Sequence, residues 1–187
     1  MSKIILGFAG LMASGKDVSK KYLMEKYGAN SYRFSTMLRD ILNRLYLPIN
    51  RENMQNLSTD IRTRFGADTM SRVIAEDVKN DNNDIVVVEG IRRLADISVL
   101  KDFPNFYLIS IEADSRLRYD RMIKRNENIG DAEKSYEEFM ADHKKEAETQ
   151  TPIVMETAKF KIDNSGTLDD LYKQIDKIIF TIRENHA

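Results

Sequence analysis

The residues with the most specific chemistry are two glycines five positions apart and a lysine, in Gly10-Leu11-Met12-Ala13-Ser14-Gly15-Lys16. They match G-x-x-x-x-G-K. Glycine at both ends lets the backbone curl until successive N–H groups point inward, and the lysine adds a positive charge. Such a loop holds phosphate, and a helix starting directly behind it contributes its positive end. Chance produces this spacing only about 0.03 times in a chain of this composition, so an ordinary glycine turn is a poor alternative. Gly10, Met12, Ala13, Ser14, Gly15 and Lys16, with the following Asp17 and Val18, are the expected contacts of a nucleotide's phosphates.

Asp17 stands where the pattern usually has a Ser or Thr hydroxyl on Mg²⁺. A carboxylate is a harder ligand, but it sets negative charge beside a triphosphate unless the metal is present, which predicts a steep Mg²⁺ dependence. An acidic residue in the first turn of a helix is the plainer explanation. Glu89, in Glu89-Gly90-Ile91-Arg92-Arg93, is a second candidate metal contact, through water, and Arg92 and Arg93 are placed to grip a phosphate bidentately. Two arginines at the start of a helix are also common as solvated residues. Ser35 and Thr36 read as an N-cap compatible with ligand binding. Arg62 and Arg64, two apart, cannot share a helix face, so one of them at most, counted as Arg64, reaches an acceptor. Arg118, Arg121 and Arg125 form a stripe that either faces phosphate or is solvated and paired with Asp114, Asp120 and Glu127. His143 and His186 make no metal pattern.

These residues need elements to hold them. Lys3–Ala9 is a short apolar run of the kind buried on both faces of a parallel sheet, and Val18, Tyr22, Leu23 and Tyr27 put a helix over 16–27, stopped by Gly28. A strand over Ser31–Phe34 is followed by three helical stretches filling 36–80, broken near Pro48 and Gly66. Ile85–Val88, Phe106–Ile111 and Phe160–Ile162 read as further strands. Residues 114–150 are charged and helical with a turn at Gly130, and Leu168 to Ile182 form a last amphipathic helix. Five strands alternating with helices predict one α/β domain with a parallel sheet covered on both faces.

Composition narrows the function classes. With 187 residues, 42% of them hydrophobic and 32% charged, the chain is neither disordered nor membrane-spanning. A net charge of -1 makes nucleic acid an unexpected partner, and zero Cys removes thiol catalysis and disulfides. A cytoplasmic monomer or homodimer acting on small nucleotides is the expectation.

Taken together, these stretches resemble the P-loop nucleoside monophosphate kinases, above all the dephospho-CoA-kinase-like and adenylate-kinase-related small kinases. Ser35-Thr36-Met37-Leu38-Arg39 is similar to their acceptor pattern S-T-G-D-M-L-R. Glu89 to Arg93 is similar to D-G-F-P-R, Arg121 to Arg125 to the lid entry E-R-L-x-x-R, and Ile162 to Leu168 to I-x-N-x-G-[ST]-L. Phage-type deoxynucleoside monophosphate kinases share a loop ending Gly-Lys-Asp. The resemblance implies a three-layer α/β/α fold with a five-stranded parallel sheet, a helical acceptor-binding insert at 36–80 and a helical lid at 126–150, using ATP and Mg²⁺. It also implies that Lys16 and the loop hold the donor and that Ser35, Thr36, Arg39, Arg64, Arg92 and Arg93 hold the acceptor. Arg121 would stack on the adenine, with Asn164 and Gly166 at its border, and Arg125 would reach the transferring phosphoryl group.

Two departures stand out. Asp142-His143-Lys144-Lys145 offers lysines where the lid's second basic pair has arginines, and Phe34-Ser35-Thr36 lacks the aspartates that end the second strand of dephospho-CoA kinases. A hydroxyl acceptor needs a general base and an ionised phosphate does not. A nucleotide phosphate is therefore the expected acceptor, with dephospho-CoA kinase and an ATP-driven regulatory protein as alternatives.

Overall fold

A computed structural model describes residues 3–125, 132–142 and 149–185. Five strands form one all-parallel sheet in the order β2-β3-β1-β4-β5. They are β1 (Ile4–Ala9), β2 (Asn30–Arg33), β3 (Ile85–Ile91), β4 (Phe106–Glu112) and β5 (Phe160–Asp163). The helices are α1 (Lys16–Tyr27), α2 (Phe34–Arg44), α3 (Arg51–Phe65), α4 (Thr69–Asn80), α5 (Ser115–Arg125), α6 (Tyr136–Asp142), α7 (Thr151–Glu156) and α8 (Leu168–Glu184). Two short 3₁₀ turns, Leu94–Ile97 and Leu100–Asp102, link β3 to β4.

The central strands are apolar on both faces, so alternate residues enter two separate cores. Ile4, Leu6 and Phe8 pack with Leu23 of α1 and with Leu171, Ile175, Ile178, Ile179 and Ile182 of α8. Ile5 and Ala9 pack on the other side with Phe34 and Leu38 of α2, Met70, Ile74 and Val78 of α4, and Val154 of α7. This gives three layers, helix on sheet on helix. Gly7 sits where any Cβ would come within 2.7 Å of the Phe106 ring, so β1 and β4 pack closely there.

The chain leaves β1 toward β3 and β2 and returns to the other side through β4. The crevice at the carboxyl end of β1 is therefore the switch point at which open α/β sheets bind ligands. In β3, Val88 pairs with Gly7 and Ile91 with Ala9, which leaves one extra residue in β3. Gly90, at φ 82°, takes up that bulge. The strand consequently runs past Glu89 to Ile91, and Arg92 and Arg93 lie in the link before a 3₁₀ turn, not at the start of an α-helix.

Three other expectations change. Phe34 opens α2 and does not close β2, so the cap position belongs to Arg33 and neither Ser35 nor Thr36 caps the helix. Val18, assigned to the apolar face of α1, is 38% exposed, because that helix buries Ser19 and Leu23 instead. Leu168 is likewise exposed, on the first turn of α8. The turn at Gly130, Glu127, His143, His186, Lys144 and Lys145 lie outside the described residues.

Candidate active site

The loop after β1 is built by close approach. Gly10 admits no side chain, since a Cβ would fall 2.5 Å from the Ile111 carbonyl, and Gly15, at φ 108°, faces the Asn164 amide where a Cβ would overlap it. Between them Ala13 holds φ at 59°, a strained value for a residue with a Cβ. Helix α1 starts at Lys16 with no side-chain cap, so its first-turn amides remain available to an anion. The Lys16 ammonium lies across the loop, donating to the Gly10 carbonyl at 2.6 Å and the Leu11 carbonyl at 2.9 Å.

Residues far along the chain brace this loop. Asn164, just past β5, is buried; its Nδ2 donates to the Ser14 carbonyl at 2.8 Å and its N–H to the Glu112 carbonyl at 2.7 Å. Arg118, only 5% exposed, donates from Nη1 to the Met12 carbonyl at 3.2 Å and from Nε to the Ala113 carbonyl at 3.1 Å, and lies over the Phe139 ring of α6. Arg121 donates to the Asn164 carbonyl at 2.9 Å, and Arg125 to Asp17 Oδ2 at 3.1 Å. The arginine stripe of α5 thus faces the loop. Arg116 instead pairs with Asp120 and lies over the Tyr119 and Tyr136 rings, while Asp114 accepts from the first amides of the helix. Gly166 precedes a capping box in which Thr167 and Asp170 satisfy each other's amides at the start of α8.

Two carboxylates flank the loop, and cations hold both. Glu89 is 3% exposed, with Lys20 Nζ at 2.7 Å and Arg33 Nε at 3.8 Å. Asp17 contacts Arg125, Arg33 at 3.7 Å and Lys20 at 3.8 Å. No cluster of three acidic or imidazole ligands exists among the described residues. Mg²⁺ is commonly held by one or two carboxylates together with substrate phosphates and water. Asp17 and Glu89, joined by Lys20 beside the loop that follows β1, fit that donor set.

On the other wing, Ser35 and Thr36 lie in the first turn of α2, and Arg39 is exposed one turn later. Of the α3 pair, Arg62 is the residue that turns inward: Nη2 donates to Asp96 Oδ1 at 2.7 Å and Nη1 to the Ala67 carbonyl at 2.6 Å, whereas Arg64 is exposed. Asp96 is buried, and its Oδ2 accepts from the amides of Arg92 at 2.9 Å and Arg93 at 3.0 Å. The insert is therefore tied to the arginine link after β3. Of the expected lid, the described part is docked on α5, with Phe139 buried against Tyr119 and Tyr119 donating to the Lys134 carbonyl. Lys134 in turn pairs with Asp142 at 2.7 Å.

Lys20, Arg33 and Asp96 carry no motif that marks them as site residues, whereas Arg118 and Arg62 are candidates in the sequence and turn out to brace the loop and the insert. A spacing signal existed for Lys20, which is one turn after Lys16.

No protein-family model matches the chain. It is similar to a protein of Staphylothermus marinus described as a UPF0200 protein, 27% identical over 187 residues, covering 100% of this chain and 97% of that one. Among solved structures it is similar to shikimate kinase from Bacteroides thetaiotaomicron, with a TM-score of 0.63 at 10% identity, covering 96% of this chain and 98% of that one. A gluconokinase from Sinorhizobium meliloti gives 0.59 at 11% identity, covering 98% and 94%. At these identities the likeness establishes the architecture, the α/β fold that those kinases share. No described helix is long and apolar enough to cross a membrane.

Proposed function

We propose that this protein is a phosphotransferase that moves the γ-phosphoryl group of ATP, taken with Mg²⁺, to the phosphate of a nucleoside or deoxynucleoside monophosphate. One observation carries the reading. Cations from α1, β2 and α5 converge on the phosphate loop, and the two carboxylates beside it, Asp17 and Glu89, are both already in ion pairs. From the end of β2 into the first turn of α2 the chain runs Arg33-Phe34-Ser35-Thr36 with no carboxylate. Such a site suits two phosphate-bearing substrates and is poorly equipped to deprotonate a hydroxyl. That proteins named as kinases share the fold supports phosphoryl transfer as the reaction class.

In this reading the loop amides and Lys16 bind the donor phosphates, and Arg121 with Asn164 and Gly166 borders the donor base. Ser35, Thr36, Arg39, Arg64, Arg92 and Arg93 serve the acceptor. Arg125 exchanges its contact with Asp17 for the transferring group. Asp17 and Glu89 would hold Mg²⁺, which when bound supplies charge neutralisation on the donor. Residues 126–150 would close over the site and exclude water.

The test is ADP formation from ATP and Mg²⁺ against AMP, CMP, GMP, UMP, the deoxynucleotides and dephospho-CoA, with a control lacking acceptor. Stimulation by one monophosphate is expected. Stimulation by dephospho-CoA alone, or slow hydrolysis indifferent to every acceptor, would replace this reading with a hydroxyl kinase or an ATP-driven switch.

A further inference from the structure

We infer that Arg33 is a catalytic arginine that grips the phosphoryl group in transit, a role that rests on the phosphotransfer reading above. In the sheet order β2-β3-β1, the donor loop follows β1 and the acceptor helix α2 follows β2, so β3 separates the two substrates. Arg33 is the last residue of β2, and its side chain crosses the intervening strand. Its Cγ passes 3.8 Å from where a Cβ on Gly90 would stand, and the guanidinium ends 3.8 Å from Glu89 and 3.7 Å from Asp17, in the first turn of the donor helix. The side chain therefore begins on the acceptor's strand and ends at the donor's helix. A phosphoryl group passing between them must cross the carboxyl end of β3, the strip that this guanidinium spans.

The manner in which Arg33 is held suits that role. Both of its ion pairs are longer than hydrogen bonds and the residue's side chain is 42% exposed, so charge alone keeps it against the carboxylates and it is able to turn toward an arriving phosphoryl group. Glu89 does not lose its partner when this happens, because Lys20 stays 2.7 Å away. A planar, permanently charged guanidinium matches the charge that a loose phosphoryl-transfer transition state spreads over its equatorial oxygens. Arg125, which also contacts Asp17, comes from α5 on the opposite wing of the sheet. The two arginines thus approach the transfer point from the acceptor and donor sides.

Arg33→Ala and Arg33→Lys test this with the full chain and whichever monophosphate best stimulates the wild type. The expected result for Arg33→Ala is a fall in kcat on the order of 10²- to 10³-fold, with KM for ATP and for the acceptor changed less than about threefold. Arg33→Lys should recover little of the loss, since an ammonium lacks the planar fork. A second readout needs no turnover: Mn²⁺ titrated into the nucleotide-free protein and followed by water proton relaxation should bind several-fold more tightly to Arg33→Ala, which removes a competing cation from Asp17 and Glu89. Unchanged thermal denaturation would show that the variants are folded. A kcat within threefold of wild type, a loss confined to the acceptor's KM, or unchanged Mn²⁺ affinity would each overturn the role of Arg33. A wild type inert toward every monophosphate would overturn the phosphotransfer reading itself, and this role with it, which separates the two failures.

Discussion

At the scale of single residues, charge balance around the loop is the main determinant. Lys16 touches the loop's own carbonyls at Gly10 and Leu11, so Lys16→Ala removes a cation from the donor site without opening a core. Turnover should fall on the order of 10²- to 10³-fold, about 3 kcal/mol, with the melting temperature nearly unchanged, as steady-state kinetics and calorimetry would show. Asp17 invites a different experiment. The sequence alone makes it an electrostatic liability beside a triphosphate, but Arg125, Arg33 and Lys20 surround it and offset that cost. With that cost offset, what Mg²⁺ gains at Asp17 is a ligand, so Asp17→Thr should weaken the effect of chelation: EDTA lowers ATP affinity strongly in the wild type and only modestly in the variant, read by titration calorimetry. Equal sensitivity in both proteins would show that Asp17 is not a metal ligand.

At the scale of elements, the Arg62–Asp96 pair is the join between the helical insert and the sheet. Breaking a buried ion pair by deleting one partner costs about 3–5 kcal/mol, and Asp96 also holds two backbone amides. Asp96→Ala should destabilise the protein by roughly 3 kcal/mol in urea unfolding. It should also raise the acceptor's KM through Arg92 and Arg93 while ATP binding is retained, and Arg62→Ala added to it should cost much less than it does alone. This join marks the limit of what the sequence revealed. Strands and helices were legible because they follow from local periodicity: Ile85–Val88 and Phe106–Ile111 lie within β3 and β4, and α1 spans the expected residues. The loop between β1 and α1 was legible because its residues are contiguous. Arg62 and Asp96, 34 residues apart, meet only through tertiary packing, and so do Ser14 and Asn164. The exposure of Val18 was equally hidden, since α1 packs through the small Ser19 and a helix face cannot be oriented from its apolar residues when a serine is what fits the sheet.

At the scale of the whole molecule, the layer behind the sheet is fastened by a polar cluster remote from the loop. Asp176 of α8 accepts from the Tyr22 and Tyr27 hydroxyls and from Lys26 of α1, and Tyr22 stacks on Tyr172 at 3.9 Å. Burial pushes the Asp176 carboxyl up, but the hydrogen bonds from Lys26, Tyr27 and Tyr22 outweigh it and hold the group below its ordinary value near 3.8. Tyr27 is pushed up to about 12, first by burial and then by its bond to the same carboxylate. A carboxyl lowered on folding stabilises the native state above its unfolded value and loses that contribution as pH falls through the native one. Asp176→Asn should therefore flatten the fall of melting temperature below about pH 4, while the wild type keeps a steeper acid limb.

The bond from Asn164 to the Ser14 carbonyl spans 150 residues. A chain emerging from the ribosome carries the complete loop once Lys16 has been made, but that loop lacks its clamp until β5 has been made and has paired with β4. On the proposed function, nucleotide binding would therefore come late in the molecule's assembly, and a chain cut short before residue 164 should display the loop and fail to retain ATP.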